Sequence, residues 1–294
     1  MDKQCLFGVP APCRFEAPSA WLPRVALSQA ESPSRIARLL GIDDEGDVDL
    51  RFSHVDSASI AALCGISDEL LEETSQMLWN ADELRLCNPI LLTEEGLPRY
   101  RFCADCLKES SAPYFPVFWR VDAYRACGIH ECLLEDVCPH CGAPVCPMQD
   151  WRKAGKDGQG VLMPSQCLVC SQLLWKVTSI KLAGIRRSRI SFENKMRLLH
   201  GELLINALVT SSWEGPAWIA PEQLDGLDFF QRIELFEQSG GFASGYFLSS
   251  SFYRRRKWVR QSQEIEPQAA KVARLRRKIE LKRFLALDPI RGLF

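Results

Sequence analysis

The chain has 294 residues, of which 47% are hydrophobic and 25% charged, and this composition predicts a soluble globular protein with a substantial buried core. It contains no apolar run of about eighteen residues and no basic N-terminal segment followed by an apolar one, so we expect no membrane span, no signal peptide and a cytoplasmic location. The net charge of −1 hides an asymmetry, because residues 251–294 carry thirteen Lys and Arg against four Asp and Glu. Only this segment is a candidate for binding polyanions.

The first 95 residues predict short helices. In SPSRIARLLGI, Ser32 is a candidate N-cap, Pro33 is the first helical residue and Gly41 ends the helix. The apolar stripe of this helix is predicted to consist of Ile36, Leu39 and Leu40.

Two further predicted helices, SASIAALCGI and SDELLEETSQML, are joined by a turn at Cys64-Gly65-Ile66, and Ser67 is the candidate cap of the second. This is the pattern of a helix-turn-helix. The second helix would read the DNA, yet it carries four acidic residues that phosphates would repel: Asp68, Glu69, Glu72 and Glu73. We therefore favour simple helix packing over DNA reading, and the sequence leaves both open.

Residues 96–175 contain four pairs of metal-binding side chains, each pair separated by two residues. The pairs are Cys103/Cys106, Cys127/His130, Cys138/Cys141 and Cys167/Cys170. Two thiolates at this spacing on a tight turn can bind one ion, and two such turns complete a tetrahedron. Thiolate and imidazole ligands without a redox requirement favour zinc, so we expect two structural zinc ions.

Pairing neighbours in sequence gives one site of three cysteines and a histidine and a second site of four cysteines. A cross-braced arrangement, in which the first pair joins the third, is compatible with the same spacing, although sequential pairing is simpler. Either arrangement fills all four positions with protein ligands and leaves none for a catalytic water.

The remaining cysteines and histidines are expected to lie outside the metal sites. Cys132, Cys146 and His140 lie near the ligands but have no partner at the required spacing, and His54 and His200 have no ligand neighbour in sequence. Cys5, Cys13, Cys64 and Cys87 are expected to be small buried hydrophobes.

The stretch APYFPVFWRVDAY, between the first two pairs, is rich in aromatic residues. On a module too small to have its own core, such residues are expected to pack across the metal turns, and stacking on nucleic-acid bases is the alternative.

Helical patterns return beyond Trp175. The stripe Phe192, Met196, Leu199, Leu203 and Ala207 predicts one helix, and Leu224, Leu227, Ile233 and Phe236 predict another that ends near Gly240. The basic tail is a candidate surface for DNA or for an acidic protein partner. Its candidate contact residues are Arg254, Arg255, Arg256, Lys257, Arg260, Arg274, Arg276, Arg277 and Lys278.

The order of these motifs resembles the TniQ/TnsD family of transposon target-selection proteins. The resemblance rests on Cys-x-x-Cys, an aromatic stretch with Trp119-Arg120, Cys-x-x-His, a Leu-rich link, and CPHCG followed by a distant Cys-x-x-Cys. Near the N-terminus, SAWLPRVA at residues 19–26 is similar to the family's Ser-Trp-Leu-x-Arg segment, from which Ala20 and Pro23 depart. The resemblance covers about residues 15 to 175.

The resemblance implies an adaptor without catalytic activity, and it places the metal ligands at the eight paired positions. Such proteins connect a target-recognition component to an AAA+ ATPase that regulates the transposase. That component is either their own DNA-binding region or, in CRISPR-associated transposons, a ribonucleoprotein. A free-standing zinc-stabilised DNA-binding protein that uses the basic tail is the alternative, and a homodimer is compatible with either role.

An enzyme is the least supported class. The sequence has no Gly-rich phosphate loop and no H-E-x-x-H motif, and His130-Glu131-Cys132 lacks the spacing of a zinc deaminase.

We therefore expect a mainly α protein with small zinc-ribbon or zinc-knuckle β elements. The predicted parts are a helical, helix-turn-helix-like region at 1–95, a double zinc module at 96–175, and a helical region with the basic tail at 176–294.

Overall fold

The computed structural model describes residues 6–84, 90–148, 163–181, 192–212 and 221–238. Within these ranges the chain is mainly helical, with two small antiparallel sheets of two strands each, which confirms the predicted fold class. No helix in the described ranges has the length and apolarity that crossing a bilayer would require.

Five helices form the N-terminal region. They are α1 (Pro18–Ser28), α2 (Pro33–Leu39), α3 (Val48–Phe52), α4 (Ser57–Cys64) and α5 (Glu69–Glu83). The predicted cap of α2 is confirmed, because the Ser32 hydroxyl accepts a hydrogen bond from the Arg35 amide at 3.3 Å. Gly41 follows this helix with φ of 76°, a conformation in which glycine has no steric penalty. The predicted stripe is wrong at one position, because Leu39 is 55% exposed.

Helices α4 and α5 form the predicted pair, and Gly65 makes the left-handed turn after α4. The predicted cap of α5 is wrong: the residue before the helix is Asp68, not Ser67, and its side chain caps no backbone amide. The backbone of Asp68 is already in the αR region. A capping residue typically has an extended backbone, from which its side chain can reach the first free amides of the helix.

The central region is built from short elements. Strands β1 (Thr93–Glu94) and β2 (Leu97–Pro98) form one hairpin, and β3 (Ala126–Cys127) and β4 (Cys132–Leu133) form another. Helix α6 (Ala104–Glu109) and a 3-10 turn (Val117–Arg120) lie between the hairpins in sequence. The predicted domain boundary at residues 95 and 96 falls at the tip of the first hairpin.

Three helices follow: α7 (Phe192–Thr210), α8 (Pro221–Leu224) and α9 (Phe229–Gln238). The prediction of a single helix from Leu224 to Phe236 is therefore wrong. The helix is interrupted between α8 and α9, where Gly226 has φ of 72°. In α7 the side chains of Leu204, Ala207 and Leu208 are buried. A Cβ at Gly201 would lie 2.4 Å from the Ala123 carbonyl oxygen, so this glycine permits α7 to pack directly on the central region.

One hydrophobic core connects these parts, with members from α1 to α5, from the central region and from α7 and α9. A buried polar network crosses the same contact. Asp49, at the start of α3, accepts hydrogen bonds from the Ser19 amide at 2.6 Å and the Tyr100 hydroxyl at 2.5 Å, and it pairs with Arg120 at 2.6 Å. Asp47 pairs with the other guanidinium nitrogen of Arg120. These bonds fix the N-terminal helices on the region that carries the metal-binding residues.

Candidate metal centres

The first centre gathers Cys103, Cys106, Cys127 and His130, whose ligand atoms all lie within 4.8 Å of one another. Cys103 precedes α6 and its sulfur accepts a hydrogen bond from the Cys106 amide at 3.4 Å, so the start of the helix presents both thiols to one point. Cys127 ends β3, and His130 lies in the loop between β3 and β4. The distance between the Cys106 and Cys127 sulfurs is 3.6 Å, and His130 Nδ1 lies 3.2 Å from the Cys106 sulfur.

The imidazole of His130 is oriented from its outer side. Its Nε2 lies 2.8 Å from Glu109 Oε2, at the end of α6, and this hydrogen bond raises the pKa of His130. A carboxylate on the far nitrogen fixes the ring so that Nδ1 faces the three sulfurs, which is the usual support of a metal-bound histidine. Lys181 also holds the loop, because its ammonium donates to the His130 carbonyl at 3.2 Å.

The second centre gathers Cys138, Cys141, Cys167 and Cys170. The sulfur of Cys138 lies 3.7 Å from that of Cys170, and the same distance separates Cys141 from Cys167. Each pair lies on a similar tight turn. In one turn the Gly142 amide donates to the Cys138 carbonyl at 2.9 Å, and in the other the Ser171 amide donates to the Cys167 carbonyl at 2.8 Å.

Both turns end on a residue in the left-handed region, with φ of 75° at Gly142 and 60° at Ser171. This backbone reversal brings the two sulfurs of each pair to the same side. Glycine adopts this conformation without steric cost, whereas the Cβ of serine makes it unfavourable. The turn that ends at Ser171 is therefore more strained than the turn that ends at Gly142.

The structure therefore groups the eight predicted ligands by neighbouring pairs, and the cross-braced arrangement does not form. Two sulfurs bound to one tetrahedral zinc lie about 3.8 Å apart, given a bond length of about 2.3 Å. The sulfur distances of 3.6 to 3.7 Å fit this geometry, so both centres could hold a metal ion. Hydrogen bonds among the thiols lower the pKa of Cys103 and of Cys138, whereas they raise the pKa of Cys106 and of Cys141.

Histidines outside the eight ligands have other partners. His140 lies within the Cys138 turn, but its Nε2 contacts the Leu173 carbonyl at 3.1 Å, which ties the two turns of the second centre together. His54 contacts Asp82 at 2.9 Å. The side chain of His200 lies outside the described residues.

The other cysteines differ in how close they lie to the centres. Cys132 is fully buried, and its sulfur lies 3.6 Å from that of Cys103, a proximity that spacing alone did not indicate. Cys146 lines a small cavity beside Cys167. Cys64 is buried in the N-terminal core, as expected, and burial raises its pKa to about 11. Cys13 is half-buried, and Cys5 and Cys87 lie outside the described residues.

The aromatic stretch packs inside the protein. Phe115 is 2% exposed and Trp119 3% exposed, and their rings meet edge to face with centroids 5.7 Å apart. Tyr100 contacts Phe115 in the same manner at 5.6 Å. These rings are therefore occupied by the core and are not free to stack on bases.

The basic tail residues predicted to contact DNA or a partner, from Arg254 to Lys278, lie outside the described residues. The helix-turn-helix-like pair can be assessed. Helix α5 packs against α3, α4 and α7, and the buried Asn80 amide donates to the Leu208 carbonyl near the end of α7 at 2.6 Å. Glu69 and Glu72 of this helix are exposed, and so is Asp68, which directly precedes it. The described part of α5 thus combines a covered face with an acidic one.

Two residues were not predicted from the sequence: Glu109, the partner of His130, and Arg120, the centre of the buried network. Glu109 is three residues beyond Cys106, on the helical turn that follows the ligand, and this spacing is a signal that could have found it. The acidic run around Asp47 and Asp49 was a weaker signal for a buried cation elsewhere in the chain.

Comparison with known proteins agrees with the motif order. The family model described as TniQ matches residues 8–134, which include the N-terminal helices and the whole first centre. A search of the curated proteins found no match. A TniQ domain implies a role in target selection during transposition. Residues 8–134 of this chain are therefore similar to the TniQ family.

Proposed function

We propose that this protein is a non-catalytic adaptor in transposon target selection, which links a target-recognition complex to an AAA+ ATPase regulator of transposition. The TniQ match over residues 8–134 is the observation that carries the proposal. The recognition complex is either a DNA-bound protein or an RNA-guided ribonucleoprotein, and the test below distinguishes the two.

The chemistry of the two centres supports a structural role. Each centre offers four protein ligands, three thiols and an imidazole in one and four thiols in the other. Zinc is the metal that this donor set suits best, and when bound it supplies folding free energy rather than a reactive water. In this proposal the ligands are Cys103, Cys106, Cys127 and His130 in the first centre and Cys138, Cys141, Cys167 and Cys170 in the second.

The segment between the centres supports a rigid adaptor. Residues 131–137 connect the last ligand of the first centre to the first ligand of the second. Within this segment Glu135 and Phe102 exchange backbone hydrogen bonds at 2.8 and 3.0 Å, and the Leu134 amide donates to the Arg125 carbonyl at 2.9 Å. A segment paired on both sides holds the two centres in a fixed relation, as simultaneous contact with two partners requires.

The environment of α5 argues against groove reading by the helix-turn-helix-like pair. The Trp79 ring packs on Phe230 of α9 with centroids 5.8 Å apart, and Asn80 bonds to α7. A recognition helix needs a free face with Arg, Lys, Asn or Gln, whereas the exposed residues of α5 include several carboxylates. Adaptor function through protein contacts is therefore the better reading of this region.

The proposal is tested by affinity purification of the tagged full-length chain from cells that contain the transposition proteins. We expect an AAA+ ATPase to co-purify together with a DNA-binding protein or a guide-RNA complex, and nuclease treatment distinguishes direct contact from contact through nucleic acid. Recovery of the intact, metal-loaded chain without any ATPase would contradict the adaptor role.

The charge of residues 251–294 favours the second candidate function, a free-standing DNA-binding protein. That role predicts duplex affinity that falls steeply with salt and is lost when residues 251–294 are deleted. If the deletion leaves the affinity for duplex DNA unchanged, the tail does not take part in DNA binding.

A further inference from the structure

A fifth sulfur lies beside the first centre. Cys132 is 0% exposed, and its sulfur lies 3.6 Å from that of Cys103. The ligand pair Cys106 and Cys127 shows the same separation. Two sulfurs on one zinc are expected about 3.8 Å apart, so Cys132 stands at a ligand-like distance from Cys103 although four other donors already complete the centre.

The register of the second hairpin explains why Cys132 points toward the centre. Cys127 of β3 and Cys132 of β4 are direct partners across this antiparallel pair. Residues that face each other across a hairpin project to the same side, with Cβ atoms about 5 Å apart. The hairpin therefore offers the centre three donors, Cys127 and Cys132 from its strands and His130 from its loop.

His130 is the one imidazole among the four ligands of the first centre. Its side chain is 14% exposed and is held by Glu109, whose own side chain is 67% exposed. Cys132, by contrast, is fully buried. Displacement of the imidazole toward solvent would leave an open position at the metal, with the buried thiol already beside Cys103.

The second centre lacks this feature. Among the described residues, no fifth cysteine lies within hydrogen-bonding distance of its sulfurs, and Cys146, the nearest in sequence, makes no such contact. The second centre therefore serves as an internal reference for the first.

We propose that Cys132 is a reserve ligand of the first centre, which completes a four-thiolate site for a thiophilic divalent cation when His130 is displaced. The inference rests on the proposed metal binding. In the exchange the bond from the metal to Nδ1 breaks, a bond to the Cys132 sulfur forms, and the thiol proton passes to the released imidazole. No electron is transferred, and the net charge of the ligand set becomes more negative by one.

The test uses the full-length chain loaded with ¹¹³Cd²⁺, since the cadmium resonance moves downfield with each additional thiolate and reports the two centres separately. Wild type should give one resonance for three sulfurs and a nitrogen and one for four sulfurs. In His130→Ala both resonances should lie in the four-sulfur range. In His130→Ala/Cys132→Ser the first centre should lose that four-sulfur resonance, and Cys132→Ser alone should match wild type.

Several results would overturn the inference. The first is a first-centre resonance in His130→Ala that is absent or remains in the three-sulfur range. The second is a spectrum of the double variant identical to that of His130→Ala. The third is a wild-type protein that already shows two four-sulfur resonances. His130→Gln, which keeps a donor for Glu109, repeats the test should the alanine variant fold poorly. A wild-type chain that binds no cadmium would instead defeat the metal proposal itself, so the two failures are distinguishable.

Discussion

Arg120 is a buried cation that joins the N-terminal helices to the region with the candidate metal centres, and its replacement by Met should destabilise the protein strongly. The side chain is 0% exposed, and one of its nitrogens lies 2.6 Å from Asp49 Oδ2. Asp49 is also 0% exposed. Met preserves most of the side-chain length while it removes the charge, so Arg120→Met tests the ion pair more than the packing.

The size of the loss in folding free energy depends on which hydrogen bonds Asp49 retains after the substitution. Loss of one partner of a buried pair costs about 3–5 kcal/mol, because it leaves an uncompensated charge. Asp49 keeps hydrogen bonds from the Ser19 amide at 2.6 Å, the Ser19 hydroxyl at 3.1 Å and the Tyr100 hydroxyl at 2.5 Å. These donors place the expected loss at the lower end, about 3 kcal/mol.

Arg14→Met is the matched control, because Arg14 pairs with Glu73 at 3.0 Å on the surface, with side chains 67% and 40% exposed. Screening by solvent limits that loss to less than about 1 kcal/mol. The assay is urea unfolding at pH 7 with saturating zinc, followed by circular dichroism. Adding Asp49→Asn to Arg120→Met should restore part of the stability. A loss for Arg120→Met no larger than that for Arg14→Met would show that the buried pair of Arg120 with Asp49 does not stabilise the fold.

Three further predictions concern single contacts. Glu109→Ala frees the outer nitrogen of His130 and should weaken metal binding at the first centre about tenfold to a hundredfold, measured by chelator competition, with the second centre unchanged. Burial opposes ionisation of Asp136, yet the charge of Arg101 at 2.7 Å and of nearby arginines lowers its pKa to about 2, so Asp136→Asn should cost about 2 kcal/mol. A carboxyl group whose pKa is lowered by folding stabilises the fold at every pH above its unfolded pKa, and this stabilisation is lost as the pH falls through the folded pKa of about 2. The cost of Asp136→Asn should therefore stay constant from about pH 5 to 8, and a cost that varies across this range would contradict the assignment. Asn80→Ala leaves the Leu208 carbonyl without its donor and should lower the free energy of unfolding by about 1–3 kcal/mol. Relative to wild type, amide hydrogen exchange in the variant should accelerate more in α7 than in the other helices, and an equal acceleration in all of them would argue against this contact.

The paired cysteines can be recognised from the sequence as candidate metal ligands because their geometry is local. A pair of cysteines two residues apart lies on one turn, so the chain itself brings the two sulfurs together, and only the choice of partner turn had to come from the fold. The cap of α2 at Ser32 is local in the same sense, since its hydrogen bond to Arg35 spans three residues.

Other features depend on contacts that no local pattern encodes. The pairing of Asp49 with Arg120 joins residues 71 positions apart, and Asn80 reaches Leu208 across 128 positions. The position of Cys132 beside Cys103 depends on the hairpin register, which two-residue strands barely mark in sequence.

We propose that two structural zinc ions hold this protein together, and the most direct test of this claim is the metal content of purified variants. Elemental analysis should find two zinc ions per wild-type chain, one for each centre. Cys138→Ser should yield fewer than two zinc ions and largely insoluble protein, because each site contributes on the order of 10 kcal/mol to folding. Cys146→Ser, which removes a nearby thiol outside the ligand set, should retain both ions. A soluble Cys138→Ser protein with two zinc ions, or a wild type with none, would contradict the claim.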